Sequence, residues 1–505
     1  MRRLVANKYM LALLVAMALV AVFGLASVSH PAARVAGPGT PAPARATVSA
    51  ALRACPAPGS TGATASGLAL AAASSGPGQA EVTRLSPAGA TVPPAPLHVL
   101  AQPGQLSLVN VTQAPALGRG VSQQFAPEAG ASVPTGPARG GVMIQASGSM
   151  ARGLEAEQTS AGGLATAQCQ SPGTDFWFLG PGQKSVADIQ LYLMNTDSQP
   201  ADATVQILTD SGPVLGSTDA GIGVPPHGLV VQSLARLLHG SRVAALNVTT
   251  SVGRVVAAVL ETSGGSQPGA WLPAAQAPAT SQVLPGLPGT PGGRELYIAV
   301  PGATNAQVKV TAITARGSYQ PTGGSGIDLP GGSAVALALP SLAGIPAAIQ
   351  VSSGVPVTVS MSVPGGAPGA PGAFTAAAAP VQEQGVIAGN PAGSGGTSTL
   401  VLSAPQAAAR VSVTELTAAG QASVPARTVV LAAGHTAVLT LTVPRQAGRA
   451  SPFAVVLTPL AGSGPVYAGR VVTQGGAVRS ILPVTSSLTW VPLPAVRNSV
   501  TTALP

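Results

Sequence analysis

The chain has 505 residues, long enough for three or four domains. Its 46% hydrophobic content is mostly Ala and Val, with only 3% aromatic and 8% charged residues, which suits thin β-sandwiches better than a large enzyme core. The net charge is +9, but the arginines are dispersed and no basic stripe interleaves with aromatics, so nucleic acid is excluded as the expected partner.

Taken from the N-terminus, residues Tyr9 to Val28 form an uncharged, apolar run of the length a bilayer-spanning helix needs, preceded by Arg2, Arg3 and Lys8. Positive residues stay on the cytoplasmic side, so everything after Ser29 is expected outside. The run reads as an uncleaved anchor (1–30). The other reading is a signal peptide, for which Gly24-Leu25-Ala26 is a weak cleavage site. A Pro/Ala-rich spacer follows over 31–46.

Beyond the spacer a pattern recurs with a period of roughly 110 residues, about one sandwich domain. It contains an alternating strand that ends at a glycine turn: Val205-Gln206-Ile207 to Gly212, Val308-Lys309-Val310 to Gly317, Val411-Ser412-Val413 to Gly420 and, more weakly, Val82 to Gly89. Alternation buries Val205 and Ile207 on one face and leaves Gln206 in water. A second turn opens the next strand at Pro103-Gly104, Pro226-His227-Gly228, Gly331-Gly332 and Gly434-His435, and a hairpin closes each copy.

The fold expected is therefore all-β: an N-terminal transmembrane helix followed by about four tandem immunoglobulin-like β-sandwich repeats, strung as a stiff rod. The repeats fall at 47–165, 166–270, 271–366 and 367–480, the last two including linkers, with a tail over 481–505. Leu284 to Gly289 and Pro364 to Gly372 read as those linkers.

Four features together resemble a family of uncharacterised, membrane-anchored, β-rich extracytoplasmic proteins of actinobacteria. They are Cys55-Pro56, Cys169 with the Phe176-Trp177-Phe178 strand, Gly269-Ala270-Trp271-Leu272-Pro273, and Leu284-Pro285-Gly286-Leu287-Pro288-Gly289. The resemblance implies an envelope location and a β-rich fold. It supplies no activity.

Cys55 and Cys169 are the only cysteines and stand at matching starts of the first two copies. An even count outside the cytoplasm favours one structural disulfide, with free thiols as the other reading; two ligands are too few for zinc. His30, His98, His227, His239 and His435 show no metal-ligand spacing, and His227 and His435 sit in solvated turns. Asp188, Asp197, Asp202, Asp210 and Asp219 fall in loops and turns, where capping explains them better than a carboxylate pair or a calcium loop. No nucleophile elbow is accompanied by a base and an acid. No catalytic residue, cofactor or metal ligand is named.

Trp177 is the candidate ligand surface. In a strand it points opposite to Phe176 and Phe178, so it could be exposed to stack on a ligand, but packing in the core or between domains is the favoured reading because tryptophan is usually well buried. Trp271 and Trp490 read as linker anchors. The function expected is a non-enzymatic, single-pass cell-membrane protein, its bulk extracytoplasmic, that binds or spaces a surface component such as an anionic cell-wall polymer or an envelope protein. An accessory factor of an envelope enzyme or polymer-assembly complex is the alternative, and a secreted hydrolase a distant third.

Overall fold

A computed structural model describes Met17, Val20 and residues 45–56, 67–74, 76–87, 97–99, 104–110, 141–159, 165–214, 221–262, 269–365, 372–392, 396–421, 424–446 and 448–493. The chain divides into two compact units, Met1–Ala46 with Pro492–Pro505, and Thr47–Val491. Apart from Met17 and Val20, the anchor at Tyr9 to Val28 lies outside the described residues, as does nearly all of the spacer. Among the described residues no helix is long and apolar enough to cross a membrane.

The Thr47–Val491 unit is all-β. Its sheets share cores in pairs, giving four sandwiches with one strand order. The second shows it most simply. One sheet runs Asp175–Pro181, Val243–Val252, Ala201–Thr209 and Gly212–Pro213; the other runs Ala270–Leu272, Val256–Thr262, Asp188–Met194 and Gly228–Ser233. In the third sandwich the two strands that cross between sheets are fused into one 17-residue strand, Ala347–Val363, which pairs in both. The fourth begins with Gly385–Asn390 and ends with Ala477–Val484, and the first runs from Ala50–Pro56 to Ala165–Gln168.

The alternation seen in the sequence is the cause of the cores. Val205 and Ile207, Val308 and Val310, and Val411 and Val413 are buried, while Gln206, Lys309 and Arg410 are exposed. Each of these strands ends in the same side-chain-locked turn. Thr209 Oγ1 donates to the Gly212 carbonyl at 2.9 Å and accepts from Ser211 N at 3.2 Å. Thr314 does so with Gly317 and Arg316, and Thr417 with Gly420 and Ala419. A threonine hydroxyl serving its own turn in this way replaces bonds the hairpin leaves open.

The turn before Gly228–Ser233 departs from its counterparts. Gly104, Gly332 and Gly434 take left-handed φ values of 74°, 70° and 73°, and His227 holds the same place at 48°. A side chain in that region is strained by roughly 1–2 kcal/mol. His227→Gly should therefore stabilise the second sandwich by about 0.5–1 kcal/mol, read as a higher urea midpoint with unchanged m-value.

Several boundaries differ from the sequence reading. Ala270–Leu272 is the last strand of the second sandwich, so Trp271 is no linker residue, and Leu284 to Leu287 belong to the buried strand Ala279–Leu287, which opens the third. Gly286 is there because Gly469 of the fourth sandwich meets it backbone to backbone; a Cβ on either residue would collide with the other. The stretch from Gly366 to Pro371 lies outside the described residues. The strand Ala477–Val484 runs across the expected 480/481 boundary.

The sandwiches do not form a rod. The first packs on the second through Ala54, Leu85, Met143, Tyr192, Met194 and Leu229. Tyr297, Ala299, Ala334 and Phe374 of the third join the core of the second, and Val401, Val471, Val478 and Ile481 of the fourth join that of the third. The fourth then returns to the first, where Val386, Ala388, Leu416, Ala454 and Val456 cover Ala69, Ala71 and Leu106. Backbone bonds tighten this return at Gly153 N to Leu488 O, 2.8 Å, and Val48 N to Thr489 O, 3.0 Å. Small Ala and Val side chains on both faces of these sheets let neighbours dock closely, where a polar outer face would have kept them apart.

Candidate functional site

Where the four sandwiches converge they border a half-open cavity of about 440 Å³, within the range of small-molecule sites. Ser171, Gln276, Thr485 and Leu488 stand exposed around its mouth, and Ala257, Ala258 and Ala377 lie buried or nearly so in its wall. Deeper in are Arg53, Glu155, Glu157 and Arg470.

The strand Leu154–Thr159 puts Glu155 and Glu157 on one face by its two-residue period. Glu155 accepts from Arg53 Nη2 at 3.1 Å; the same nitrogen donates to the Leu154 carbonyl at 3.1 Å, and Nη1 to Ser171 Oγ. Glu157 reaches across to the fourth sandwich, its Oε2 3.2 Å from Arg470 Nη1, which also donates to the Gly389 carbonyl. Gly389 leaves room for that carboxylate, since a Cβ there would stand 2.6 Å from Glu157 Oε2.

Glu157 and Arg470 are 2% and 1% exposed. Burial pushes the Glu157 carboxyl above its ordinary value, outweighing the opposing pull of Arg470. Glu157 Oε1, Arg470 Nε and Ser480 Oγ have no hydrogen-bond partner among the described residues. The cavity's charges are thus spent mainly on each other, one pair inside the first sandwich and one at its seam with the fourth. Within Thr47–Val491 this arrangement can latch the first sandwich to the fourth and can offer amides, hydroxyls and the partly exposed Trp271 to a visitor.

Of the residues singled out in the sequence, Cys55 and Cys169 come together as a disulfide with a Cα–Cα distance of 4.4 Å. Cys169 lines the cavity, and the bridge sits in the core of the first sandwich, holding the chain's exit to its first strand beside the Ala54–Gln170 backbone pair. Trp177 is 5% exposed, so of its two readings the structure has the interior packing, favoured for a tryptophan, and not the ligand surface. It lies on Asp175–Pro181 opposite Asn247, and the chain folds back over that edge with Ala275 N bonding to the Trp177 carbonyl.

Trp271 packs edge-on against Tyr192, centroids 5.2 Å apart, and borders the cavity; Trp490 is 45% exposed. Neither His227 nor His435 lines the cavity, nor do the aspartates. Asp197 is held by a two-pronged pair with Arg254 at 2.9 and 3.0 Å, which lowers its carboxyl; Asp188 accepts from Ser233, Asp210 accepts from Arg242 N, and Asp219 lies outside the described residues. Among the described residues no three His, Cys, Asp or Glu gather as metal ligands.

Another buried carboxylate stands at the seam between the second and third sandwiches. Burial pushes Glu261 up to about 7, and its Oε2 has no hydrogen-bond partner among the described residues. Nearby, Tyr297 of the third sandwich, raised by burial and by the charge of Glu261 among other causes, donates to Glu295 at 2.8 Å. Between the ordinary carboxylate range and about 7 the folded form keeps a proton on Glu261 that the unfolded form has released. Stability should therefore fall by about 3 kcal/mol as pH rises through that window, with Glu157 adding a slope of the same sign. Glu261→Gln, neutral at every pH, should remove this share of the slope in urea unfolding at pH 4.5 and 8.

The residues missed in the sequence are Arg53, Glu155, Glu157 and Arg470. The one available signal was Glu-Ala-Glu at strand spacing in a chain with only 15 acidic residues.

Residues 121–442, more than half of the chain, match the profile of a family described as a family of unknown function (DUF5719). No curated protein matches the chain. No solved structure matches it either.

Proposed function

We infer that this chain, which belongs to the family of unknown function DUF5719, is a non-enzymatic envelope protein that is tethered to the cytoplasmic membrane by Tyr9 to Val28 and binds a surface component outside it. The observation that supports binding over spacing is the closed docking of four sandwiches around one cavity, since a spacer is served by extension and this unit folds back on itself. The cavity's acids and bases are paired, Arg53 with Glu155 inside the first sandwich and Glu157 with Arg470 across the seam to the fourth, an arrangement suited to holding domains and recognising a shape. The actinobacterial origin and the immunoglobulin-like character of the sandwiches belong to the same reading.

The net charge of +9 would help recruit the protein to anionic wall polymer, and that contribution weakens as salt rises. The test is fractionation of cells making the full chain, followed by sedimentation of the solubilised protein with purified cell wall at low and high salt. Recovery in the membrane fraction, protease access from outside and co-sedimentation are expected. Release of most molecules into the medium would defeat the tether, and turnover of glycans, peptides or esters abolished by one Asp or Ser substitution would replace binding with catalysis.

A further inference from the structure

Resting on that reading, we propose that the cavity at the junction of the four sandwiches is a binding site for a neutral saccharide segment, with Trp271 as its stacking face. The lining selects against charged and against wholly apolar ligands. An anion would have to draw Arg53 or Arg470 away from Glu155 or Glu157, and a cation the reverse, each breaking a buried pair and stranding its partner. A wholly apolar guest would leave Gln168, Gln170, Ser171, Gln276 and Ser486 without water at the wall.

A sugar ring fits what remains. Its hydroxyls both donate and accept, matching side-chain amides and hydroxyls that do the same. Its C–H face is apolar and lies flat on an indole. Trp271 is only partly buried and is fixed in orientation by its edge contact with Tyr192, so the surface it shows to the cavity is rigid before a ligand arrives. Ala257, Ala258, Ala274 and Ala275 line the cavity with it and add little bulk there.

The experiment is calorimetric titration of the full detergent-solubilised chain with neutral hexasaccharides of glucose, mannose, galactose, arabinose and N-acetylglucosamine. At least one series should bind, and Trp271→Leu should weaken it about tenfold through loss of the stacking face. Gln276→Trp, a change at an exposed side chain on the mouth, should abolish binding by obstruction while leaving the unfolding midpoint in place, which keeps the proposal testable if Trp271→Leu folds poorly. Saccharide binding unchanged by Gln276→Trp would overturn the site. So would absence of saccharide binding by a chain that still sediments with cell wall, an outcome that leaves the envelope-binding function standing; failure of both assays would remove both.

Discussion

Arg470→Met should destabilise the Thr47–Val491 unit by about 3–5 kcal/mol, because it strands a carboxylate in the seam between the first and fourth sandwiches. Glu157 then keeps the burial that already raises its carboxyl and loses the one cation that opposes it. The defect should grow as pH rises, since the stranded group escapes the penalty only by holding a proton. Glu157→Gln alone should be milder. The double variant Glu157→Leu with Arg470→Met should recover most of the loss, since replacing a buried pair by apolar groups of similar volume is often near neutral. Urea unfolding at pH 5 and pH 8 reads all four proteins. A single variant as stable as the wild type at pH 8 would mean that water reaches the pair and that the seam does not depend on it. Limited proteolysis adds a local reading, because the first sandwich should be released before the second and third are cut.

Loss of the Cys55–Cys169 bridge should have an effect of similar size. It closes a loop with a sequence separation of 114, and the chain-entropy model gives about 4–5 kcal/mol for a loop of that length, with measured values for native bridges at about 2–5 kcal/mol. The double variant Cys55→Ala with Cys169→Ala should lower the urea midpoint and loosen the cavity wall to which Cys169 belongs. The Leu154–Thr159 strand, which carries Glu155 and Glu157, is bonded directly to Cys169 through Cys169 N to Ala156 O at 2.9 Å. Saccharide binding and stability should therefore decline together in this variant, whereas Gln276→Trp separates them. Alkylation of both cysteines without prior reduction, in protein taken from the envelope, would show that the bridge does not form there.

How much of this was legible in the chain depended on the range of the interaction. Alternation at Val205-Gln206-Ile207 and its counterparts is a property of neighbouring residues, and it announced strands, their buried faces and their recurrence. The Thr-x-x-Gly turn was equally local: Thr209, Thr314 and Thr417 each stand three residues before their glycine, a spacing present in the sequence that marks the hairpin more sharply than the glycine alone. Two cysteines in a chain expected outside the cell announced one bridge. The Leu284 to Gly289 run misled because Pro and Gly at that density normally mark a loop, and nothing nearby in the sequence says that Gly286 must face Gly469.

The sequence by itself determined an all-β chain of recurring sandwiches, one disulfide and the residues that face each sandwich core, because all of these follow from periodicity, turn chemistry and composition. Only the tertiary structure decided that Trp177 is interior, that Arg53 pairs with Glu155 and Glu157 with Arg470, and that the fourth sandwich returns to the first around a cavity. The physical reason is that docking between sheet faces rich in Ala and Val is governed by shape and by a few buried charges. Those partners lie more than a hundred residues apart, at Arg53 and Glu155, and more than three hundred apart, at Glu157 and Arg470, where no local pattern connects them.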